Sequence, residues 1–385
     1  MTRLTVDQNI SSRINLMRIL LISGIVFVHV PHDPQTSPFI GANGFFDWLR
    51  VFLGDSLFRI GVPCLSVISG YLLFQRGWSG FDYSKTLRSK ARTVLLPFLL
   101  WNVGLFAAVF AAQRIGIGEG YFPDLWNAAP RELLSSALAT EELPINLPLY
   151  FLRDLVVCII LSPILAFLVR RYPGPTLGVL FFVAILPEVT LGIVLKKTIL
   201  FSFTLGIFLA LYRQDLKALD RFAGIGSATA LAAAALLSVA QYHTGPDFPW
   251  VVDLARNTLS MLGVVGFWLM SSFLIRLPIS QRLAATGSLS FWIFCAHYPL
   301  LVVMWMVWNR LAGDEFYLLF YFGAALGSFI ILAFSNRYIS RAMPALYEVL
   351  TGSRGRKAKL TAAAKSHSPA GLSRPGEPAM TQQQR

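Results

Sequence analysis

Residues 14–30 read INLMRILLISGIVFVHV, an apolar run interrupted by only two ionisable side chains, Arg18 and His29. A run of this kind approaches the roughly 20 apolar residues that cross a bilayer core. No A-x-A-like cleavage site follows it, so it reads as a retained span and not as a signal peptide. Nine further apolar runs lie near residues 56–74, 93–113, 147–169, 175–190, 198–213, 221–241, 254–275, 288–309 and 316–339. The predicted fold is an all-α integral membrane protein, a bundle of about ten transmembrane helices over residues 1–350, followed by a basic tail over residues 351–385. The fifth and sixth runs are the shortest and are separated by a charged break at Glu188, Lys196 and Lys197, so two spans or one re-entrant hairpin both fit.

Composition agrees. Of 385 residues 55% are hydrophobic and 14% charged, with a mean hydropathy of +0.59, whereas soluble domains carry about 25% charged residues. A soluble globular enzyme is excluded. Cys64, Cys158 and Cys295 all lie in apolar runs, without a CxxC pair, so neither a disulfide framework nor a metal site is expected. The 33 Lys and Arg outnumber the 20 Asp and Glu. In a polytopic protein this excess reflects topology and gives no reason to expect nucleic acid, because cytoplasmic loops collect cations.

An even number of spans puts both termini on one side. On the opposite side fall Arg50, Arg114, Arg131, Lys196, Lys197, Arg256 and Arg310; three arginines, Arg18, Arg59 and Arg153, lie within spans, and the remaining cations share the side of the termini. Both termini are therefore expected in the cytoplasm. The longest outside connection, from Arg114 to Asn146, is acidic and has room for a short interfacial helix near 130–139. The tail is rich in Ser, Ala, Pro, Gln and Lys/Arg and has almost no large apolar residue. It is expected to be disordered and drawn to anionic membrane lipid.

Charges inside a bilayer are costly, which makes them functional candidates. Eleven helical steps carry Arg18 to His29 at nearly the same azimuth, ~16 Å apart along the axis. Arg18 then faces the inner leaflet and His29 the outer one. A donor entering from the cytoplasm and an acceptor waiting outside would suit that placement. Snorkelling by Arg18 and an interfacial location for His29 would account for the same spacing. His29 and Asp33 are four apart, but Pro31 and Pro34 oppose a continuous helix between them.

The stretch from Arg18 to His29 resembles the R-x10-H signature of the membrane-bound acyltransferase 3 family. Three later stretches resemble that family in the same order: VPCLSVISGY at 62–71, LYFLRDL at 149–155 and SFWIFCAHYP at 290–299. Cys64-Leu65 replaces the usual Phe pair, Tyr150 stands where Trp is common, and the basic pair before the third span is present only as the looser Lys85, Arg88, Lys90, Arg92 cluster. Within the family the chain is most similar to exopolysaccharide (succinoglycan-type) succinyltransferases, through residues 50–71 and 151–163.

The resemblance implies an inner-membrane enzyme of a Gram-negative bacterium. It would move an acyl group from cytoplasmic acyl-CoA, succinyl-CoA first and acetyl-CoA second, to a sugar hydroxyl of a polysaccharide or its lipid-linked repeat, in contact with membrane lipids and polysaccharide-synthesis machinery. His29 is then the candidate base, since a neutral imidazole is suited to deprotonating a hydroxyl. Arg18 is the candidate for a phosphate or a developing oxyanion. Arg88, Lys90 and Arg92 are candidates for the CoA phosphates. Arg59 and Arg153, in the outer half, are candidates for the distal carboxylate of a succinyl group, against the plainer reading that Arg153 pairs with Asp154 and Arg59 snorkels. Tyr71 and His297 complete the substrate candidates, with Ser69-Gly70 favouring close helix approach and His297 read first as a buried histidine hydrogen-bonded to a neighbouring helix. No metal is expected. A transporter or flippase of a polar glycan would also be a cation-lined bundle; the four motifs in order favour the enzyme.

The distribution of cations predicts that reporters fused after residue 385 and within residues 75–90 report cytoplasm, and that one within 115–145 reports the outside. The reverse pattern in reporter assays would overturn both topology and direction of transfer.

Overall fold

The computed structural model describes residues 8–284 and 286–352. The tail expected to be disordered lies, from residue 353 on, outside the described residues. In chain order the helices are α1 (Gln8–Val28), α2 (Phe45–Val51), α3 (Gly61–Phe74), α4 (Tyr83–Lys90), α5 (Leu96–Gln113), α6 (Pro130–Leu138), α7 (Tyr150–Arg171) and α8 (Pro173–Ile185). They continue with α9 (Lys197–Leu211), α10 (Ala223–Thr244), α11 (Trp250–Leu274), α12 (Pro278–Ala284), α13 (Gly287–Leu311), α14 (Tyr317–Ala342) and α15 (Pro344–Leu350). Among the described residues there is no strand.

Eight helical segments are long and apolar enough to cross a membrane, and the chain is a membrane protein. Two of them are longer than the apolar runs suggested. A π turn, Phe52–Leu57, and a 3-10 turn, Phe58–Ile60, join α2 to α3 into one segment, Phe45–Phe74. A second π turn, Ala91–Leu95, joins α4 to α5 into Tyr83–Gln113. The fifth and sixth runs form separate apolar helices, α8 of 13 residues and α9 of 15. The helix anticipated in the long acidic connection is α6. Alternation of the ten apolar segments puts residues 29–44, 114–149 and 186–196 at one end of the bundle, called here the His29 end, and residue 8 at the other.

Where helices cannot satisfy their own backbone, side chains do so, because hydrocarbon offers no water. Pro163 and Pro299 each lack an N–H, which strands the carbonyl four residues earlier. The orphaned Ile159 carbonyl accepts from Ser162 Oγ at 2.7 Å, and the Cys295 carbonyl accepts from Asn146 Nδ2 at 3.0 Å. Arg13 is buried within the bundle: Nη1 donates to Asp220 at 2.8 Å, Nε to Ser271 at 2.9 Å and Nη2 to the Trp268 carbonyl at 2.7 Å. Its guanidinium also lies 3.9 Å from the Trp268 ring centre. This positive charge, one of the cations counted from sequence on the side of the termini, thus fastens α1 to α11.

The closest helix contact is between α3 and α9. Gly70 lies against the Phe203 carbonyl and Gly206 against the Val67 carbonyl, so a methyl group at either position would run into backbone. This is the small-residue packing expected of Ser69-Gly70. Gly323 on α14, in contrast, has nothing near the place a methyl would take.

Gly70→Ala and Gly206→Ala should therefore each destabilise the protein by roughly 1–3 kcal/mol through overpacking. Gly323→Ala should be neutral or stabilising by up to about 1 kcal/mol through helix propensity. Thermal unfolding in detergent checks the split; equal effects at all three sites would contradict the close contact.

Candidate functional site

α1 stops at Val28 because Pro31 cannot continue it, and a helix end leaves its last carbonyls without partners. Here the following residue closes back. The His29 amide donates to the Val26 carbonyl at 3.1 Å, and His29 Nδ1 lies 2.9 Å from the Ile25 carbonyl. A carbonyl only accepts, so the hydrogen-bonding pattern assigns the proton to Nδ1 and leaves the lone pair on Nε2. That is the tautomer a general base needs.

His297 stands behind it. This side chain is 0% exposed. Its Nδ1 is 2.9 Å from the Ile293 carbonyl and its Nε2 is 3.5 Å from His29 Nδ1. By the same reasoning Nε2 of His297 is an acceptor, turned toward the proton-bearing edge of His29. The two rings meet edge-on with centroids 5.3 Å apart, and Tyr298 packs edge-on against His29 at 6.1 Å.

Past α1 the chain is anchored to α14 and α2. Tyr321 donates to the Phe27 carbonyl at 3.3 Å and Tyr317 to the Pro31 carbonyl at 2.7 Å. Arg50, buried, donates to Asp47 at 2.9 Å and to the Thr36 carbonyl at 2.8 Å, with its guanidinium 4.4 Å from the Tyr317 ring centre. Asp33 Oδ1 accepts from Thr36 N at 2.8 Å and Thr36 Oγ1 at 2.7 Å. Asp33 is used in this turn and makes no hydrogen bond to His29.

His29 lines a cavity of about 490 Å³ at its end of the bundle. Its polar wall includes Arg59, Tyr150, Lys196, Lys197, Asp253, Arg256 and Asn257. The π turn and 3-10 turn before α3 deliver Arg59, held by Asp55 at 2.9 Å. Arg256 is paired with Asp253 at 2.7 Å. The 186–196 connection forms the facing wall and is pinned from three directions. Asp154, fully buried, accepts from the amides of Leu195 at 3.0 Å and Lys196 at 2.8 Å. Lys197 Nζ donates to the carbonyls of Leu186 and Val189, closing the end of α8. Asn257 Nδ2 donates to the Ile185 carbonyl at 3.1 Å.

Of the residues singled out in the sequence, His29 and Arg59 meet at the cavity, joined there by Tyr150 of the LYFLRDL motif. Arg153 is elsewhere. Its guanidinium donates to Asp154 at 2.9 Å and to the carbonyls of Ala139 at 3.0 Å and Ile193 at 2.8 Å, so it binds two connections together behind the cavity wall. Tyr71 on α3 and His297 do not line the cavity. Arg18 is partly buried on α1, and no hydrogen bond or ion pair links it to another described residue. Arg88 and Arg92 are exposed, and Lys90 half-buried, around the junction of α4 with the second π turn, at the end opposite His29. Lys196 and Arg256 were read from sequence only as loop cations on the less basic side. Among the described residues there is no cluster of His, Cys, Asp and Glu able to hold a metal.

A family model described as "Acyltransferase domain" matches residues 11–335. The chain is also similar to the "Succinoglycan biosynthesis protein ExoH" of Rhizobium meliloti (strain 1021). The two are 55% identical over 348 residues, which cover 90% of this chain and 94% of the relative. No solved structure matches.

Because His29 opens onto the cavity and His297 is sealed from it, diethyl pyrocarbonate should modify His29 and spare His297. Peptide mass mapping of the detergent-solubilised protein reads this directly. Equal modification of both rings would contradict the arrangement.

Proposed function

The chain belongs to the acyltransferase 3 family, and from that premise we propose that it transfers an acyl group from acyl-CoA to a sugar hydroxyl of an exopolysaccharide or its lipid-linked repeat. The observation that carries the assignment is the fixed tautomer of His29 at the cavity. As the sugar oxygen forms its bond to the thioester carbonyl carbon, its proton passes to His29 Nε2. Collapse of the tetrahedral species breaks the C–S bond, and the departing thiolate takes the proton back from His29. The imidazolium formed in between carries two N–H groups; Nδ1–H stays on the Ile25 carbonyl with the His297 Nε2 lone pair alongside, which supports the charged ring in place. Proton transfer of this kind contributes typically 10²–10⁴-fold.

Arg18 serves the donor in this scheme. At ~16 Å from His29 along α1 it is too far to reach the same carbonyl, whereas a guanidinium with no hydrogen bond or ion pair among the described residues suits a CoA phosphate. Arg88, Lys90 and Arg92, at the end opposite His29, suit the remaining phosphates. The reading places both termini and the CoA in the cytoplasm, the acceptor outside, and the protein in the inner membrane of a bacterium. The exopolysaccharide acceptor is supported by the 55% identity to a protein named for succinoglycan biosynthesis. Succinyl, ahead of acetyl, is supported by the cations that share the cavity with His29.

His29→Ala should lower acyl transfer at least about 100-fold while the protein still accumulates in the membrane. Chemical analysis of the acyl groups on the surface glycan, normalised to membrane protein level, tests this. Wild-type acylation in the variant would remove His29 from the mechanism.

A further inference from the structure

The cations of the cavity exceed what the protein neutralises. Four line it, from three segments: Arg59 just before α3, Lys196 and Lys197 at the start of α9, and Arg256 from α11, with the Lys197 ammonium already spent on the carbonyls of Leu186 and Val189. Asp55 takes Nη2 of Arg59, and Asp253 takes Nη2 of Arg256. A guanidinium has five N–H donors, so each retains several for another acceptor. The Lys196 ammonium makes no hydrogen bond or ion pair with any described residue, although its own backbone amide is fixed on Asp154. Burial, then the neighbouring charges of Arg59 and Arg256, push this ammonium below the usual lysine range. Cations gathered against their mutual repulsion, beside a base, form a receptor for an anion.

We propose that Lys196 and Arg256, together with Arg59, bind the distal carboxylate of the transferred acyl group and thereby set a preference for a dicarboxylic acyl donor of succinyl type over acetyl. This rests on the acyltransferase reading of the same cavity. The carboxylate takes no part in bond making; it is held while the thioester carbon at the other end meets the hydroxyl beside His29 Nε2. The cavity, about 490 Å³, lies in the range of small-molecule sites. Lys196 is held at its backbone by Asp154, whose carboxylate Arg153 also engages, so Arg153 acts as a positioning residue for the receptor. An acidic sugar on the acceptor is the other source of a carboxylate, and only a comparison of donors separates the two.

The test uses the full chain in lipid nanodiscs, with succinyl-CoA and acetyl-CoA offered in turn to one acceptor glycan and release of CoA measured. Lys196→Gln removes a charge that makes no hydrogen bond or ion pair with any described residue; Arg256→Gln is accompanied by Arg256→Lys, which keeps a partner for Asp253. The expected result is a fall of about tenfold or more in kcat/KM for succinyl-CoA, the size of a lost charge-assisted hydrogen bond, with acetyl transfer within about twofold of wild type and partial recovery in Arg256→Lys. Free succinate should compete with succinyl-CoA in the wild type and lose that competition in Lys196→Gln. Equal losses for both donors would overturn the proposal and give the cations to the acceptor or to the fold. A wild-type enzyme that uses only acetyl-CoA would overturn it while leaving the acyltransferase reading intact. Absence of transfer from either donor would overturn that reading itself.

Discussion

Hydrocarbon gives a backbone carbonyl nothing to bond to, and the Ile25 carbonyl at the end of α1 is where this constraint becomes chemistry. Pro31 stops the helix, the end leaves carbonyls unsatisfied, and the residue that closes one of them is an imidazole. Its Nδ1 proton is thereby fixed, and the lone pair is left on Nε2 of a ring that lines the cavity. The same rule shapes the surroundings. Pro299, two residues after His297, strands the Cys295 carbonyl, and Asn146 reaches across from the connection before α7 to bond it. The Pro299 break thus recruits a side chain from another segment and draws the connection before α7 toward His29, whereas the breaks at Pro31 and Pro163 are met locally by His29 and Ser162.

Polar groups behind the cavity divide into those that hold its wall and those that face inward. Asp154, Arg153 and Lys197 are consumed by backbone groups, and so they give the 186–196 connection a defined shape without regular secondary structure. Irregular backbone at this depth is tolerated where it is enclosed by protein or lines a wet space. Arg59 and Arg256 each keep one carboxylate partner and spare donors, an arrangement that keeps the charges soluble in the site yet available.

Much of the fold was legible because apolar runs and bilayer thickness share one length scale; every run read from sequence corresponds to a helix. The starts of the second and third spans were not, since π turns carry the helix through Gly54, Asp55 and the cationic stretch at 88–92 where hydropathy falls. At the site, the depths of His29, Arg59 and Arg153 follow from counting along helices. The direction of Arg153 does not, because its partners are mainly carbonyls of distant connections, which any sequence supplies. Lys196 and Arg256 were hidden for another reason. Counted as evidence about sidedness, they belonged to the minority on the wrong side, and a minority that opposes the topological bias is where cations kept for another purpose collect. His297 was placed on its helix by motif, but its relation to His29 depends on the packing of α1 against α13.

The two short helices have a consequence for the membrane itself. At 1.5 Å per residue, α8 with 13 residues and α9 with 15 reach roughly 20–22 Å, well short of a hydrocarbon core of about 30 Å. α9 is largely enclosed by its neighbours, but α8 turns Val179 and Phe182 outward, each 62% exposed. A mismatch of this sign favours thinner lipid beside α8, at a cost of fractions of a kcal/mol for each Å. Bilayer thickness, set by the acyl-chain length of the host's own lipids, thereby becomes one of the variables that bears on how the wall of the cavity is held.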